Sequence, residues 1–398
     1  MSENGKESTW VNHPPRVKLQ DWNLPSVSPI FQAAKFSVDS LQGWNERLAK
    51  ARESGEEVFL YSRISNPTVR ELELLLSKLQ GSEDTLALGS GMAAISATLI
   101  ALLSPGDELI LFRESYQPSR TIARTLLSRF GIRHRFFSIS RLDECEAALQ
   151  SPLPNGGKRL IFFEGITNPV CRVADVGRLT ALAQKINAMT LLDGTFTGVH
   201  QLRETQVDLI LHSLTKYASG HGDVTAGAVL GSKVLIDKIR ETAILLGATL
   251  DPHAAFLIMR GLKTYPLRYT AQSKSAERVA RFLESHVGVS QVFYPGLEKD
   301  PGHLLARTQL NEMGGMLAIE LKNQSAEEFV SRLKLFSFTV SLGATESLAT
   351  PVLPLYGCDL SESEKRESSI HEKVVRLSIG LEDTEDLIAD LAQALGTS

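Results

Sequence analysis

A short apolar run of the sequence ends beside an amine and two hydroxyl groups. Residues 208–212 (DLILH) have the composition of a strand, and Ser213, Thr215 and Lys216 follow them directly, before a Gly-His-Gly break at 220–222. Ligands of open α/β sheets bind at the carboxyl ends of the strands. There the hydroxyls could bind phosphate oxygens while the amine forms a Schiff base, which favours a phosphate-bearing aldehyde as the ligand. A strand that runs into a polar turn without any function is the alternative.

Other strand-like runs deliver further side chains to the same edge of a sheet. Asp193 ends an apolar run, where a carboxylate needs a cationic partner such as a protonated pyridine nitrogen or an ordinary ion-pairing side chain. Asn168 follows the run 159–164. Arg376 lies inside an alternating apolar run and would suit the α-carboxylate of an amino acid, with a structurally paired arginine as the alternative. We expect these groups to meet Lys216 in one crevice.

Residues 89–94 (GSGMAA) open a helix with a pattern that has two interpretations. The first N–H groups of a helix are free to bind an anion such as a phosphate. The same residues also fit the dinucleotide pattern G-x-G-x-x-A, with Glu114 as the acid that would bind a ribose. That alternative predicts a nicotinamide-dependent dehydrogenase, but it leaves the lysine, the aspartate and the asparagine described above without a role. A non-catalytic binding protein is a third alternative.

The elements that must position these side chains follow from the order of the runs. Strand-like and helix-like runs alternate from about residue 66 to residue 230, which predicts a mostly parallel sheet with helices on both faces. Beyond about residue 250, further strand-like runs, one of them at 336–340, predict a smaller mixed sheet. We therefore predict an extended N-terminal arm for subunit contacts over 1–60, a ligand-binding domain over 61–250 and a C-terminal domain over 251–398.

Composition excludes several classes of function. The formal charge of 42 minus 46, or -4, does not favour a nucleic-acid or membrane-surface partner. The three cysteines are odd in number and far apart, so neither a disulfide framework nor a metal site is expected. The first residues show no apolar leader, and we expect a cytoplasmic protein.

Several motifs of the chain resemble those of the Cys/Met-metabolism family of pyridoxal phosphate (PLP) enzymes. They are the residues 61–63 (YSR), 66–68 (NPT), 90–92 (SGM), 259–264 (MRGLKT) and 376–382 (RLSIGLE). The resemblance extends from about Tyr61 to the end of the chain. It implies fold type I, with a mostly parallel seven-stranded sheet between helices in the large domain and a smaller α+β C-terminal domain. It also implies a homodimer or homotetramer whose active sites are shared between subunits.

The resemblance also implies roles for individual residues, with Lys216 as the Schiff-base and catalytic lysine. Tyr116 would stack on the cofactor ring and take part in catalysis. The other implied cofactor contacts are Tyr61 and Arg63 from the neighbouring subunit, Gly91 and Met92 in the phosphate turn, Asn168 near the ring oxygen, Asp193 at the pyridinium, Thr195 beside it, and the phosphate-binding hydroxyls of Ser213 and Thr215. The implied substrate contacts are Ser341, Glu346 and the carboxylate-binding Arg376.

Departures from the family pattern bear on the reaction. Gln117 and Pro118 follow Tyr116 where many members have a small pair, so the cysteine of methionine γ-lyases is absent. Gly194 replaces a frequent asparagine, and 351–357 replaces a P-A-x-M-T-H segment. These features look most like the plant-type cystathionine γ-synthases. We therefore predict γ-replacement on an O-activated homoserine by cysteine to give cystathionine, with γ-elimination or β-elimination as the alternatives.

Overall fold

Two β-sheets, each formed by a different part of the chain, organise the computed structural model, which describes residues 25–38, 40–54 and 57–396. The first sheet has seven strands in the order β1-β7-β6-β5-β4-β2-β3. These strands are Asp84–Leu88 (β1), Glu108–Phe112 (β2), Arg133–Phe137 (β3), Arg159–Glu164 (β4), Met189–Asp193 (β5), Leu209–Ser213 (β6) and Gly227–Gly231 (β7). Strand β7 is antiparallel to both of its neighbours, and the other pairs are parallel.

The second sheet has five strands in the order β10-β11-β12-β9-β8. They are Val289–Phe293 (β8), Met316–Leu321 (β9), Ser337–Phe338 (β10), Leu348–Pro351 (β11) and Val374–Ser378 (β12). The pairs on either side of β12 are antiparallel, and β10 is parallel to β11. The predicted fold class, a mostly parallel seven-stranded sheet plus a smaller mixed sheet, is therefore confirmed.

Helices cover both sheets. The helices of the described chain are Leu41–Ser54 (α1), Pro67–Gln80 (α2), Gly91–Leu102 (α3), Gln117–Thr125 (α4), Leu142–Ala148 (α5), Val176–Lys185 (α6), Lys233–Leu246 (α7), Pro252–Leu262 (α8), Tyr265–Ser285 (α9), His303–Gln309 (α10), Ala326–Arg332 (α11), Leu353–Tyr356 (α12), Glu362–Glu367 (α13) and Thr384–Leu395 (α14), with short 3-10 turns at Leu127–Phe130 and Pro154–Gly156. Across the part of the chain that the structure describes, no helix is long and apolar enough to cross a membrane.

Burial explains why the central strands are apolar along their whole length. Every residue of β1, β2 and β4 is buried, because helices pack on both faces of the sheet. Two apolar clusters lie on opposite faces of the sheet, and neighbouring residues of β2, Ile110 and Leu111, belong to different clusters. The sheet is thus a rigid support whose strand ends hold their side chains in fixed positions.

Side-chain caps begin the two helices that flank the start of this sheet. The side chain of Asn66 accepts a hydrogen bond from the Thr68 N–H at the start of α2, and Pro67 is the first helical residue. The Ser90 side chain accepts from the Ala93 N–H at the start of α3. The start of α3 was expected from the sequence, in which residues 89–94 open a helix.

The second sheet differs from its prediction. The strand expected at 336–340 is reduced to Ser337–Phe338, and the strand Leu348–Pro351 was not predicted. Pro351 is tolerated because β10 pairs only with Leu348 and Ala349, which leaves the proline unpaired on that side. Residues 1–24 of the predicted arm lie outside the described residues. The boundaries at 60 and 250 stay predictions.

Candidate active site

A cavity of about 430 Å³ lies where several strands of the large sheet end. Glu164, Asp193 and Ser213 are the last residues of the adjacent strands β4, β5 and β6. The predicted site residues that line the cavity are Gly91, Met92, Tyr116, Asn168, Asp193, Thr195, Ser213, Thr215, Lys216, Ser341 and Arg376. Residues from both sheets therefore meet in one crevice, as the order of the runs predicts.

Lys216 extends its amine towards the second sheet. Its Nζ donates a hydrogen bond to Ser341 Oγ at 2.8 Å. Burial, and secondly the positive charge of Arg376, lower the pKa of Lys216 to about 8. A substantial fraction of this amine is consequently neutral near physiological pH, as a nucleophile or a base requires.

Asp193 ends β5, the strand next to β6, and lines the same cavity as Lys216. The Thr195 N–H donates to Asp193 Oδ1 at 2.8 Å, and Thr195 Oγ1 accepts from the Ser213 N–H at 2.9 Å. Burial raises the pKa of Asp193, and the hydrogen bonds from Thr195 oppose the shift. Within the described parts of the chain Asp193 forms no ion pair, so a cationic ligand group would find an uncompensated carboxyl there.

The start of helix α3 forms the end of the cavity that is suited to an anion. Gly91 is its first residue, and a Cβ there would lie 3.1 Å from the Ser213 Cβ. The backbone of Gly91 therefore lies close to the Ser213 side chain and its hydroxyl. Thr215 Oγ1 is fixed by accepting from the Ala226 N–H at 3.0 Å. Free N–H groups of a helix start beside a hydroxyl are a suitable phosphate site.

Arg376 is 2% exposed and projects from β12 into the cavity wall. Its Nη1 donates to Asn168 Oδ1 and its Nη2 to the Ser341 carbonyl oxygen, both at 2.8 Å. The ring of Tyr356 lies 5.1 Å from the guanidinium carbon. Nε has no acceptor among the residues that the structure describes. The guanidinium is thus fixed in place and keeps an unused N–H for a planar anion.

Comparison with known proteins decides the family. Residues 18–396 match the family model described as Cys/Met metabolism PLP-dependent enzyme. The chain belongs to this family. PLP is accordingly its cofactor, and the protein is a PLP-dependent enzyme of the cystathionine synthase and lyase group.

Individual members of the family are similar over most of the chain. The L-methionine gamma-lyase of Pseudomonas putida is 39% identical over 386 residues, which cover 95% of this chain and 94% of that protein. The chloroplastic cystathionine gamma-synthase 1 of Nicotiana tabacum is 36% identical over 348 residues, which cover 85% of this chain and 64% of that protein. A crystal structure from Campylobacter jejuni with N'-pyridoxyl-lysine-5'-monophosphate has a TM-score of 0.85 and 31% identity, covering 94% of this chain and 97% of that one.

The residues of the cavity fit PLP by their chemistry. Lys216 could bind the aldehyde, the uncompensated Asp193 could neutralise the pyridinium nitrogen, and the start of α3 with Ser213 could hold the phosphate. The free Nε of Arg376 could then bind the carboxylate of an amino acid. This PLP-dependent member of the family therefore has a matching group for each charged part of cofactor and substrate.

Three predicted residues lie outside this cavity. Tyr61 and Arg63 are exposed, and Arg63 lines a separate cavity of about 280 Å³. Glu346 is exposed, and its Oε2 accepts from the Thr345 hydroxyl at 3.1 Å. Their roles stay predictions. Glu114 is fully buried and accepts from the Ser138 hydroxyl and the Ile139 N–H, so it is not placed to bind a ribose in the cavity.

Glu164 and Tyr356 also line the cavity, although the sequence had given no role to either. Glu164 ends β4 beside Asp193 and is 5% exposed. Burial and the charge of Asp193 raise its pKa. An acid at the end of an apolar strand was a usable signal for Glu164, as it was for Asp193. Tyr356 lies in the segment that departs from the family pattern, which was its only signal.

Proposed function

We propose that this enzyme catalyses γ-replacement on an O-activated L-homoserine, with cysteine as the thiol that enters, to give cystathionine. The observation that carries the proposal is the shared anchor of Lys216 and Arg376. The lysine amine donates to the Ser341 hydroxyl and the guanidinium to the Ser341 carbonyl, both at 2.8 Å. A substrate whose α-carboxylate binds Arg376 would therefore present its α-carbon to the lysine amine.

The chain's own groups would bind the substrate and move protons. When bound, PLP withdraws electrons from the substrate's α-carbon, and this is the chemistry that the cofactor supplies. The Lys216 amine, with its lowered pKa, would take the proton from the α-carbon, release it, and, once neutral again, take one from the β-carbon, so that the γ-substituent can leave. Burial, and secondly the neighbouring Tyr356, raise the pKa of Tyr116, which keeps its phenol protonated as a donor to the leaving group.

The choice of replacement over elimination rests on the cavity wall next to Tyr116. Gln117 and Pro118 line the cavity, and the family resemblance implies that a methionine γ-lyase would have a cysteine here. The similarity to a cystathionine gamma-synthase supports this choice.

γ-Elimination is the second candidate, because 39% identity to a methionine gamma-lyase supports it. It needs the same residues but no incoming thiol. β-Elimination from cystathionine would use the same amine and the same carboxylate site.

Product analysis separates these reactions. Purified enzyme is incubated with O-succinyl- or O-acetylhomoserine plus cysteine, and separately with cystathionine or methionine alone. The proposal predicts cystathionine in the first incubation and little 2-oxo acid in the second. Production of 2-oxo acid from cystathionine or methionine, without formation of cystathionine, would establish a lyase instead.

We also infer a cytoplasmic homodimer or homotetramer with shared active sites. Leu60, Tyr61 and Ile64 lie close together in the chain and are 40%, 43% and 47% exposed. Apolar side chains exposed together form a surface that another subunit could cover. Arg63 lies in the same region and outside its own subunit's cavity. A second copy of the chain could therefore receive Tyr61 and Arg63 at its phosphate end.

A further inference from the structure

Glu164 holds two separate segments of the active site with one carboxylate. Its Oε1 accepts a hydrogen bond from the Tyr116 N–H at 2.5 Å, and its Oε2 accepts from the Asn168 N–H at 2.7 Å. The side chain is 5% exposed and ends strand β4. These two backbone donors come from residues that are 48 positions before and 4 positions after it.

Each of the two segments carries a group that the proposed reaction uses. Tyr116 lines the cavity directly before helix α4 and packs against the apolar cluster that contains Tyr356. Asn168 accepts from Arg376 Nη1 at 2.8 Å and so helps to fix the guanidinium. The carboxylate of Glu164 is the common point between the aromatic side chain and the carboxylate-binding arginine.

We propose that Glu164 is a positioning residue that couples Tyr116 to the Asn168–Arg376 pair, so that the aromatic contact and the carboxylate site are aligned together. This inference rests on the proposed function in one respect, the binding of an amino-acid carboxylate by Arg376. Both oxygens of the carboxylate are needed, because an N–H donor faces each of them. An amide in place of the carboxylate would point its NH₂ group at one of these donors.

The test uses the holoenzyme and two small ligands that differ in one group. Glycine carries an amine and a carboxylate, whereas methylamine carries the amine alone, and the binding of each is followed by the change in cofactor absorbance. In Glu164→Gln we expect the Kd of glycine to rise about tenfold or more, because Arg376 loses its alignment, while the Kd of methylamine changes little. The visible circular dichroism of the bound cofactor should change in the same variant, because Tyr116 is displaced.

Two further variants separate positioning from charge and from stability. Glu164→Asp keeps the charge but is too short to reach both N–H groups, so it should weaken glycine binding as Glu164→Gln does, and it decides the test if the glutamine variant does not fold. Glu108→Gln is the matched control, because Glu108 is 5% exposed at the opposite ends of the strands, where it accepts from Arg135 and Arg159 at 2.8 Å. We expect it to lower stability without a change in glycine binding.

The proposal is overturned if glycine binding is unaffected in both Glu164→Gln and Glu164→Asp, or if the binding of methylamine weakens as much as that of glycine. It is also overturned if only one of the two measured quantities changes, the Kd of glycine or the visible circular dichroism of the cofactor. Wild-type behaviour of Glu164→Asp would show that the charge matters and not the bridge. Failure of the proposed reaction would leave this test intact, because neither ligand has a γ-substituent.

Discussion

Lys216 is held where its ammonium form is disfavoured. Burial and the charge of Arg376 both oppose a second positive charge in the cavity, and together they lower its pKa to about 8. The Ser341 hydroxyl accepts from the amine and partly offsets this effect, because an acceptor stabilises the charged donor. The amine of Lys216 is therefore reactive at moderate pH.

The rate at which apoenzyme combines with PLP should follow the neutral fraction of this amine. That fraction grows about tenfold for each pH unit below the pKa and levels off above it. We expect the rate, measured by cofactor absorbance, to rise up to about pH 8 and then to level off. In Ser341→Ala the midpoint should fall further, since the ammonium loses an acceptor. A rate that continues to rise towards pH 10.5, the ordinary value for lysine, would contradict this account.

Replacement of Arg376 by lysine should damage substrate binding more than the chemical step. A lysine cannot reproduce the fork that contacts Asn168, the Ser341 carbonyl and a carboxylate at once. We expect Arg376→Lys to raise KM for the amino-acid substrate about 100-fold with a smaller loss in kcat, as measured by initial rates. Arg281→Lys, an exposed surface change beside Glu277, is the control. An unchanged KM in Arg376→Lys would remove the arginine from the substrate site.

Residue types were enough to single out Asp193 and Arg376 as candidates, because an ionisable group in an apolar run needs a specific partner. Lys216 was singled out by the two hydroxyls beside it at the end of such a run. Glu164 ends an apolar run as Asp193 does, but its bridge was not predicted, since its partners are backbone N–H groups without a side-chain signature, and one of them lies 48 positions away. The roles of Tyr61, Arg63 and Glu346 are still predictions, because the proposed contacts are with another subunit or with a substrate.

Among the elements, the turn after β5 packs closely against β6, with Gly194 against the ring of His212. A Cβ at Gly194 would lie 2.5 Å from His212 Cε1. The His212 ring is buried, and its Nε2 lies 3.0 Å from Gln80 Oε1, which fixes it from the other side. This packing explains why a glycine stands here where many family members have an asparagine.

Gly194→Asn should therefore destabilise this protein. The side chain must displace a buried ring, which costs about 1–3 kcal/mol, and the adjacent Asp193 would move with the turn. We expect a lower midpoint of thermal unfolding and weaker PLP binding. Gly177→Ala is the control, because a Cβ there finds only Asp175 Oδ1 at 3.7 Å and alanine favours a helix. Equal midpoints for the two variants would show that the ring moves aside freely.

The pattern of the sequence predicted the large sheet well and the small sheet less well. Strands buried on both faces are continuous apolar runs, and β4 has the predicted bounds, 159–164. Strand β11 was missed because it has four residues and ends in a proline. Its pairing depends on β12, which lies more than twenty positions later in the chain.

At the scale of the whole molecule, shared active sites predict complementation between two inactive variants. If the sites are shared, Lys216 and Arg63 of one site come from two different subunits, so Lys216→Ala and Arg63→Ala each remove a different subunit's contribution. If the variants are mixed under conditions that exchange subunits, half of the dimers are hybrids with one intact site each, so about a quarter of wild-type activity should return. Mixing Lys216→Ala with Arg376→Ala, two residues of one subunit's cavity, should restore none. Equal recovery in both mixtures, or none in either, would contradict shared sites.

The central claim is that Lys216 holds PLP opposite Asp193. Borohydride reduction of the holoenzyme, followed by mass spectrometry of its peptides, tests it directly. We predict that the reduced cofactor is found on the peptide that contains Lys216 and that Lys216→Ala yields no labelled peptide. A label on another lysine of the wild-type enzyme would contradict the account.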